Sequence, residues 1–257
     1  MYLEKIVANK RIEIEELKKK ISVNELKQSH DYNRTCYSLK ANLLSSHSGI
    51  ISEFKRKSPS KGFIKEGAKV SDIVPFYQQS GASGLSILAD KDFFAGSPED
   101  IKTARPMVTI PILYKEFIVD EFQIHLAKSC GADVVLLIAA VLSPKEVQQL
   151  TQVAHSLGME VLLELHSEDE LAHICPDTDL VGINNRNLKT FVVDLKASID
   201  LCHKIPDTFV KISESGISNP QTVKDLRAEG FRGFLMGENF MKTENPAETL
   251  KNFIAAL

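Results

Sequence analysis

DVVLLIAAVLSPKEVQQLTQVAHSLGMEVLLELH, residues 133–166, is the stretch that decides the fold. Two short apolar runs, 133–140 and 160–166, flank a polar-rich segment. A strand with one wet face alternates apolar with polar; near-continuous apolar runs of this length fit strands buried on both faces, as in a parallel sheet covered by helices. The segment between them opens Ser143-Pro144-Lys145-Glu146 and closes at Gly158. Serine ahead of proline satisfies orphan N–H groups at a helix start and presets φ. Glycine supplies the left-handed residue on which helices stop. The reading is strand, helix, parallel strand.

The same unit recurs on both sides. IISEFK (50–55), GLSILAD (84–90), IPILYKEF (110–117), LVGINNR (180–186), FVKISES (209–215) and FRGFLMG (231–237) bring the strand candidates to eight. They begin 20 to 34 residues apart, the step from 160 to 180 being the shortest and that from 50 to 84 the longest. Further helix starts stand at Ser71-Asp72, Ser97-Pro98, Asp120-Glu121, Ser167-Glu168, Asp194, Asn219-Pro220 and Asn245-Pro246, with stops at Gly81, Gly131 and Gly230. A doubly wound open sheet uses the same unit, but eight regular repeats favour closure. The expected fold class is α/β, a (β/α)8 TIM barrel with eight crossover helices.

Residues 1–48 read differently. Leu3, Ile6, Val7, Ile14 and Leu17 recur at helical spacing among charges, predicting an amphipathic helix over about residues 2–20 and a weaker helical stretch up to Ser48. No linker composition sets this part off. The chain is therefore expected to be one domain, 1–257, with an N-terminal helical extension (1–48) packed on the barrel (49–257), its apolar face lying over the barrel mouth. With 31 Lys and Arg against 34 Asp and Glu, net charge −3, no bulk basic field draws the chain to nucleic acid or anionic lipid. Cys36, Cys130, Cys175 and Cys202 show no C-x-x-C pair and read as small buried or half-buried side chains, all but Cys36 in helical stretches. The N-terminus has no apolar h-region and no run approaches the ~20 apolar residues of a membrane span, so a cytoplasmic location is expected.

In a barrel the active site lies at the C-terminal ends of the strands. Charge appears there strand after strand: Glu53 and Lys55, Lys115, Glu164, Asn184 and Arg186, Glu214 and Ser215. Alternation puts Glu53 with Lys55, Lys115 with Phe117, and Asn184 with Arg186 on shared faces. One such residue could be a solvated strand end. Five strand ends converging on one mouth point to function, because ionised groups in a partly dry cavity are costly. After the last two strands, SESGI (213–217) and MGENF (236–240) supply Gly216 and Gly237 and a candidate short helix at 238–241, the usual barrel phosphate site. The basic segment EFKRKSPSKG (53–62) lacks an aromatic stacking platform and does not read as a nucleic-acid patch. The seven histidines make no H-x-x-x-H or H-x-H pair, only His166 falls near the mouth, and no G-x-G-x-x-G is present. Neither a metal nor a cofactor is expected.

With these motifs on the page, the chain resembles the indole-3-glycerol phosphate synthases. The resemblance rests on Glu53-Phe54-Lys55-x-x-Ser58-Pro59-Ser60-Lys61-Gly62, Leu113-x-Lys115-x-Phe117, Leu162-x-Glu164, Gly182-Ile183-Asn184-Asn185-Arg186-Asn187-Leu188 and Ser213-Glu214-Ser215-Gly216-Ile217, in order from residue 53 onward. It implies a cofactor-free lyase of tryptophan biosynthesis, acting on a phosphorylated small molecule as a monomer. The substrate would be 1-(2-carboxyphenylamino)-1-deoxyribulose 5-phosphate, the products indole-3-glycerol phosphate, CO2 and water. By the same resemblance Lys115 is the general acid of ring closure, its pKa expected to fall on burial. Lys55 lies by the substrate carboxylate, and Glu164 is the second acid/base. Glu53 and Glu214 orient the lysines, and Asn184 hydrogen-bonds the reacting sugar. Ser58, Arg186, Ser215, Gly216, Gly237 and the Glu238 position lie on the phosphate side, with Phe117 and Leu188 as walls for the aromatic ring.

Two positions depart from the family's common pattern. Glu116 stands where Asp is common; it faces away from Lys115, and little effect is expected. Glu238 stands where a small hydroxyl residue is common, and its carboxylate is expected to turn toward Lys242. Two neighbouring barrels, phosphoribosylanthranilate isomerase and the tryptophan synthase α subunit, lack the 53–62 signature and the extension. A catalytically dead scaffold would have lost Lys55, Lys115 or Glu164, and all three are present.

Overall fold

The eight apolar runs form eight parallel strands in the computed structural model, which describes residues 2–187, 190 and 192–257. They are β1 Ile50–Phe54, β2 Gly84–Leu88, β3 Ile112–Lys115, β4 Val134–Ile138, β5 Glu160–Leu165, β6 Leu180–Asn184, β7 Val210–Glu214 and β8 Gly233–Met236. Each pairs with the next, and β1 pairs with β8 from Ile50 opposite Phe234 to Ser52 opposite Met236, closing the barrel. Closure is why the runs are apolar throughout. Ile51, Leu113, Val134, Leu136, Leu162, Leu180, Val210 and Ile212 pack inside the barrel, while Val161, Leu163 and Leu165 of β5 join the outer core beneath the helices. The register sets Leu88 opposite Lys115, Ile138 opposite Glu164 and Asn184 opposite Glu214, so the polar strand ends stand near one level.

The crossover helices start where their caps predict. Ser97, Asp120, Ser143, Asp194, Asn219 and Asn245 accept backbone N–H bonds at the starts of α5 (Pro98–Ala104), α6 (Glu121–Ser129), α7 (Pro144–Ser156), α8 (Leu195–Cys202), α9 (Pro220–Ala228) and α11 (Pro246–Ala255). Gly81, Gly131, Gly158 and Gly230 all take positive φ. Ser71-Asp72 falls in a 3-10 turn, Val70–Asp72, and α4 (Val74–Gln79) begins two residues later.

One expected helix is not an α-helix. The β5–β6 crossover is a 3-10 segment, Glu168–His173, in which Ser167 caps nothing. Glu170 instead reaches back to accept the His166 N–H at 2.6 Å, and this shortest crossover has Pro176 two residues beyond Ile174, leaving no length for a full helix. Cys175 accordingly lies in a loop rather than a helix. A hairpin that the sequence did not announce, Lys57–Ser58 against Gly62–Phe63, rises from the loop after β1.

The extension divides into two parts with different places. α1 (Tyr2–Lys18) lies over the mouth, where Leu3 and Ile6 line the central cavity. Beyond α2 (Val23–Leu26), the chain reaches the opposite end of the barrel. There Arg34 pairs with Asp133 at 2.6 Å, Glu160 accepts bonds from Ser38 and from the Leu39 and Lys40 N–H groups, and α3 (Leu39–Ser45) drives Leu39 and Leu43 into the barrel floor. A Cβ at Gly84 would meet Leu39 at 2.6 Å, and one at Gly233 would meet Leu43 at 3.1 Å. Burying two leucines stabilises the floor by ~3–6 kcal/mol. The expectation that the extension covers the mouth thus holds for α1 alone; the remainder seals the other end. Among the described residues no helix is long and apolar enough to cross a membrane.

Candidate active site

Every second residue of a barrel strand points inward, so each strand delivers one or two side chains to the top layer. There they surround a cavity of about 210 Å³ roofed by α1 and the hairpin. Lys115 sits at its centre, its Nζ 2.7 Å from Glu214 Oε2 and 3.0 Å from Glu164 Oε2. Lys55 Nζ is 2.5 Å from Glu53 Oε1. Asn184 donates to Glu164 Oε1 at 2.9 Å and accepts the Arg186 N–H at 3.0 Å. All six acid, base and amide groups read from the strand ends therefore meet in one cavity.

The charges are unevenly shared. Burial would lower the Lys115 pKa, as expected from sequence, but Glu164, Glu214 and Glu53 outweigh it and raise it: this lysine stays a cation. The two glutamates on Lys115 shift in opposite directions. Burial favours the neutral form of both; Glu164 is nevertheless held low by Lys115, His166 and Asn184. Glu214 has Lys115 alone, faces Glu164 and Glu53, and is raised. Its Oε1 has no partner and lies 2.3 Å from where a Cβ at Gly182 would stand, which explains that glycine. Glu214 is the carboxyl of this group that most readily carries a proton.

The other side of the cavity suits an anion. Ser58 is buried with its hydroxyl unpartnered. Ser215 and Gly216 both take positive φ, 70° and 73°, turning the chain sharply after β7, and Asn185 pins the turn by donating to Ser215 O at 2.7 Å. Positive φ is uncommon for a serine and collects at functional sites. Gly237 caps α10 (Glu238–Met241), the short helix expected there, and a Cβ on it would lie 2.8 Å from Glu53. Arg186 reaches the hairpin, donating to Ser60 Oγ at 3.1 Å. The Glu238 carboxylate pairs with Lys61 at 2.5 Å and not with Lys242, because the hairpin carries Lys61 across the mouth. Phe117 lines the cavity beside Phe94, ring centroids 6.1 Å apart; Leu188 lies outside the described residues.

Sequence reasoning gave several residues no role. His166 has Nε2 3.1 Å from Glu164 Oε1 and Nδ1 3.6 Å from Glu170 Oε2. Burial would lower its pKa, but the two carboxylates push it up to about 10. Its place two residues after Glu164 was the available signal. Lys10, on the inner face of α1, is wholly buried, its Nζ 3.0 Å from both Glu116 and Asp90 and 2.7 Å from Glu13. Glu116 does face away from Lys115, but the expectation of little consequence fails: it is one arm of a buried ion cluster. Burial and Asp90 push its pKa up to about 7 against the pull of Lys10, while Lys10 itself is raised. The two shifts agree once the charges are counted: one lysine serves three carboxyls, so it stays charged and Glu116 is readily protonated. Ile6, Lys10 and Ile14 stand four residues apart, which would have placed Lys10 on the buried face.

The model of the family described as indole-3-glycerol phosphate synthase matches residues 3–253. The chain belongs to the indole-3-glycerol phosphate synthase family. Three proteins named indole-3-glycerol phosphate synthase are 53% identical (Bacteroides thetaiotaomicron; 99% of this chain, 98% of that protein), 44% identical (Prochlorococcus marinus; 93% and 84%) and 37% identical (Carboxydothermus hydrogenoformans; 99% and 100%). Membership in the indole-3-glycerol phosphate synthase family covers the extension as well as the barrel. Solved structures of tryptophan synthase α subunits share the fold alone. Those from Pyrococcus furiosus and Legionella pneumophila have TM-scores of 0.61 at 16% and 13% identity, covering 82% and 85% of this chain and 98% and 95% of theirs. Among the described residues no three His, Cys, Asp or Glu side chains gather as a metal site would need.

Proposed function

We infer that this enzyme converts 1-(2-carboxyphenylamino)-1-deoxyribulose 5-phosphate to indole-3-glycerol phosphate, CO2 and water, with Lys115 as the acid of ring closure. One observation carries the reading: a buried lysine is held between Glu164 and Glu214 at the centre of a cavity whose opposite side offers Ser58, Arg186 and the Ser215-Gly216 turn. As the ring carbon bearing the carboxylate attacks C2′, the carbonyl oxygen becomes an alkoxide. An alkoxide is more basic than an amine, so a lysine of raised pKa can still protonate it, and no fall in its pKa is required. Loss of CO2 returns its bonding pair to the ring and restores aromaticity. The hydroxyl then leaves as water, assisted by an acid, and a C1′ proton is removed, the step for which ionised Glu164 is suited. Lys55, held by Glu53, faces the substrate carboxylate; Asn184 contacts the reacting sugar; Phe117 and Leu188 flank the aromatic ring. Ser58, Arg186, Ser215, Gly216, Gly237 and the backbone of Glu238 take the phosphate.

All these groups come from one chain, which supports a monomer acting as one unit with its extension, in the cytoplasm where a charged phosphate ester is retained. Purified enzyme and substrate, followed by indole fluorescence, test the reading. Lys115→Ala is expected to lose 10²–10⁴-fold or so in turnover with unchanged circular dichroism; near wild-type turnover would overturn it.

A further inference from the structure

The overall reaction takes up a proton. The substrate carboxylate leaves as neutral CO2, two protons are delivered to oxygen (at the carbonyl, then at the departing hydroxyl), and one is removed from carbon. Each turnover therefore ends one proton short, at a site roofed by α1 and the hairpin: Lys115 gives one proton to the carbonyl oxygen, Glu214 beside it gives the second to the departing hydroxyl, Glu164 takes the one from C1′, and these three bonded groups are left one proton short. Resting on that reading of Lys115 and Glu164, we propose that His166 and Glu170 form a relay that returns a proton through Glu164 to Lys115 after each turnover.

The groups form a chain of close contacts. Lys115 Nζ is 3.0 Å from Glu164 Oε2, Glu164 Oε1 is 3.1 Å from His166 Nε2, and His166 Nδ1 is 3.6 Å from Glu170 Oε2. The His166 backbone N–H donates to the same Glu170 oxygen at 2.6 Å, holding that carboxylate beside the ring. Neither ring nitrogen makes an aligned hydrogen bond, so the imidazole stands between two carboxylates without being locked to either. The chain of contacts also joins two cavities. Glu164 borders the substrate cavity, whereas His166 and Glu170 border a second, larger cavity of about 1020 Å³ between α1 and the β6–α8 region. Among the described residues, Arg11 and Glu4 of α1 and Asp194 are the other charged groups lining it. Imidazole suits the task because one nitrogen can accept while the other donates. The direction is favourable: His166, pushed up to about 10, is an imidazolium at neutral pH, and Lys115 is raised above the ordinary lysine value, so a proton missing from Lys115 is replaced downhill.

A histidine that merely positions Glu164 makes a different prediction, and single-turnover kinetics separate the two. Lys115 begins protonated and Glu214 readily carries a second proton, so the first turnover does not need the relay. In His166→Ala, single-turnover conversion with enzyme in excess is expected within about threefold of wild type, with KM within threefold. Steady-state turnover should fall about a hundredfold, the low end for loss of a positioned proton donor, leaving a burst of one product per site. Added imidazole should restore the steady state with concentration. Glu170→Gln, a milder change, should show the same burst with a smaller fall. Equal slowing of single-turnover and steady-state rates without imidazole rescue would overturn the relay, as would no change in either. Glu164→Gln measured alongside separates the layers. Wild-type turnover there refutes the reading of Glu164 itself; an inactive Glu164→Gln beside an unaffected His166→Ala refutes the relay alone.

Discussion

Replacing Lys10 by methionine removes a buried charge while keeping most of the side chain's volume and reach. Its Nζ is 3.0 Å from Asp90 Oδ2 and from Glu116 Oε2, and neither oxygen gains a substitute. Their sister oxygens stay bonded, Asp90 Oδ1 to the N–H groups of Phe93 and Phe94 and Glu116 Oε1 to that of Phe117. Removing one member of a buried ion pair costs ~3–5 kcal/mol; the surviving bonds and the ready protonation of Glu116 put this case at the lower end. pH decides the rest. The Glu116 pKa is raised on folding, from an ordinary value near 4.5 to about 7. Its contribution to stability is fully present below about 4.5 and is lost as pH rises, until about pH 7, where the folded wild type also releases the proton. Without Lys10 the folded pKa lies higher, so the variant goes on losing stability above pH 7 at up to ~1.4 kcal/mol per pH unit. The expected loss is ~3 kcal/mol at pH 6, a melting point lower by ~6–12 °C for a chain of this size, and ~4 kcal/mol at pH 8. Urea unfolding at both pH values measures it, and adding Glu116→Gln should recover part of the loss. A loss that is equal at the two pH values, or larger at pH 6, refutes the charge count at this cluster.

Three further outcomes follow from the site. Gly237→Ala puts a Cβ within 2.8 Å of Glu53, at a negative φ of −129°, so its effect falls first on Glu53 and Lys55; turnover is expected to drop about 10- to 100-fold, and unchanged turnover would remove Glu53 from the site. Glu238→Ser frees Lys61 and should lower KM by less than about tenfold, ~1.4 kcal/mol, with stability within ~1 kcal/mol because the pair is partly exposed; a greater gain in affinity would show the carboxylate facing the phosphate. Deleting residues 1–20 should raise KM while the barrel stays folded by circular dichroism, whereas deleting 1–45 also removes Leu39 and Leu43 from the floor and should unfold it; identical behaviour of the two truncations would refute the division of the extension.

The barrel was legible because its determinants are local. An unbroken apolar run, a capped helix start and a glycine stop each occupy a few consecutive residues, and strand alternation alone assigns Glu53, Lys115, Glu164, Asn184 and Glu214 to the inward face. The same reasoning misplaced the β5–β6 helix, where Glu170 bonds back to His166 and replaces the cap that Ser167 announces. The family resemblance supplied roles for the inward residues, and gave Glu53 and Glu214 to the lysines, but not the individual pairings. Those depend on closure: Lys10 meets Glu116 across 106 residues, Lys115 meets Glu214 across 99, and Lys61 meets Glu238 across 177. The direction of the Lys115 shift could not be read from its own strand, since burial acts one way and three glutamates from other strands act the other, and the result depends on distances that exist only once the eighth strand pairs with the first. Sequence by itself determined the elements, their order and the inward set. Tertiary structure alone decided which charges share a cavity, and therefore which of them hold protons, because electrostatic energy depends on separation in space and on burial rather than on position along the chain.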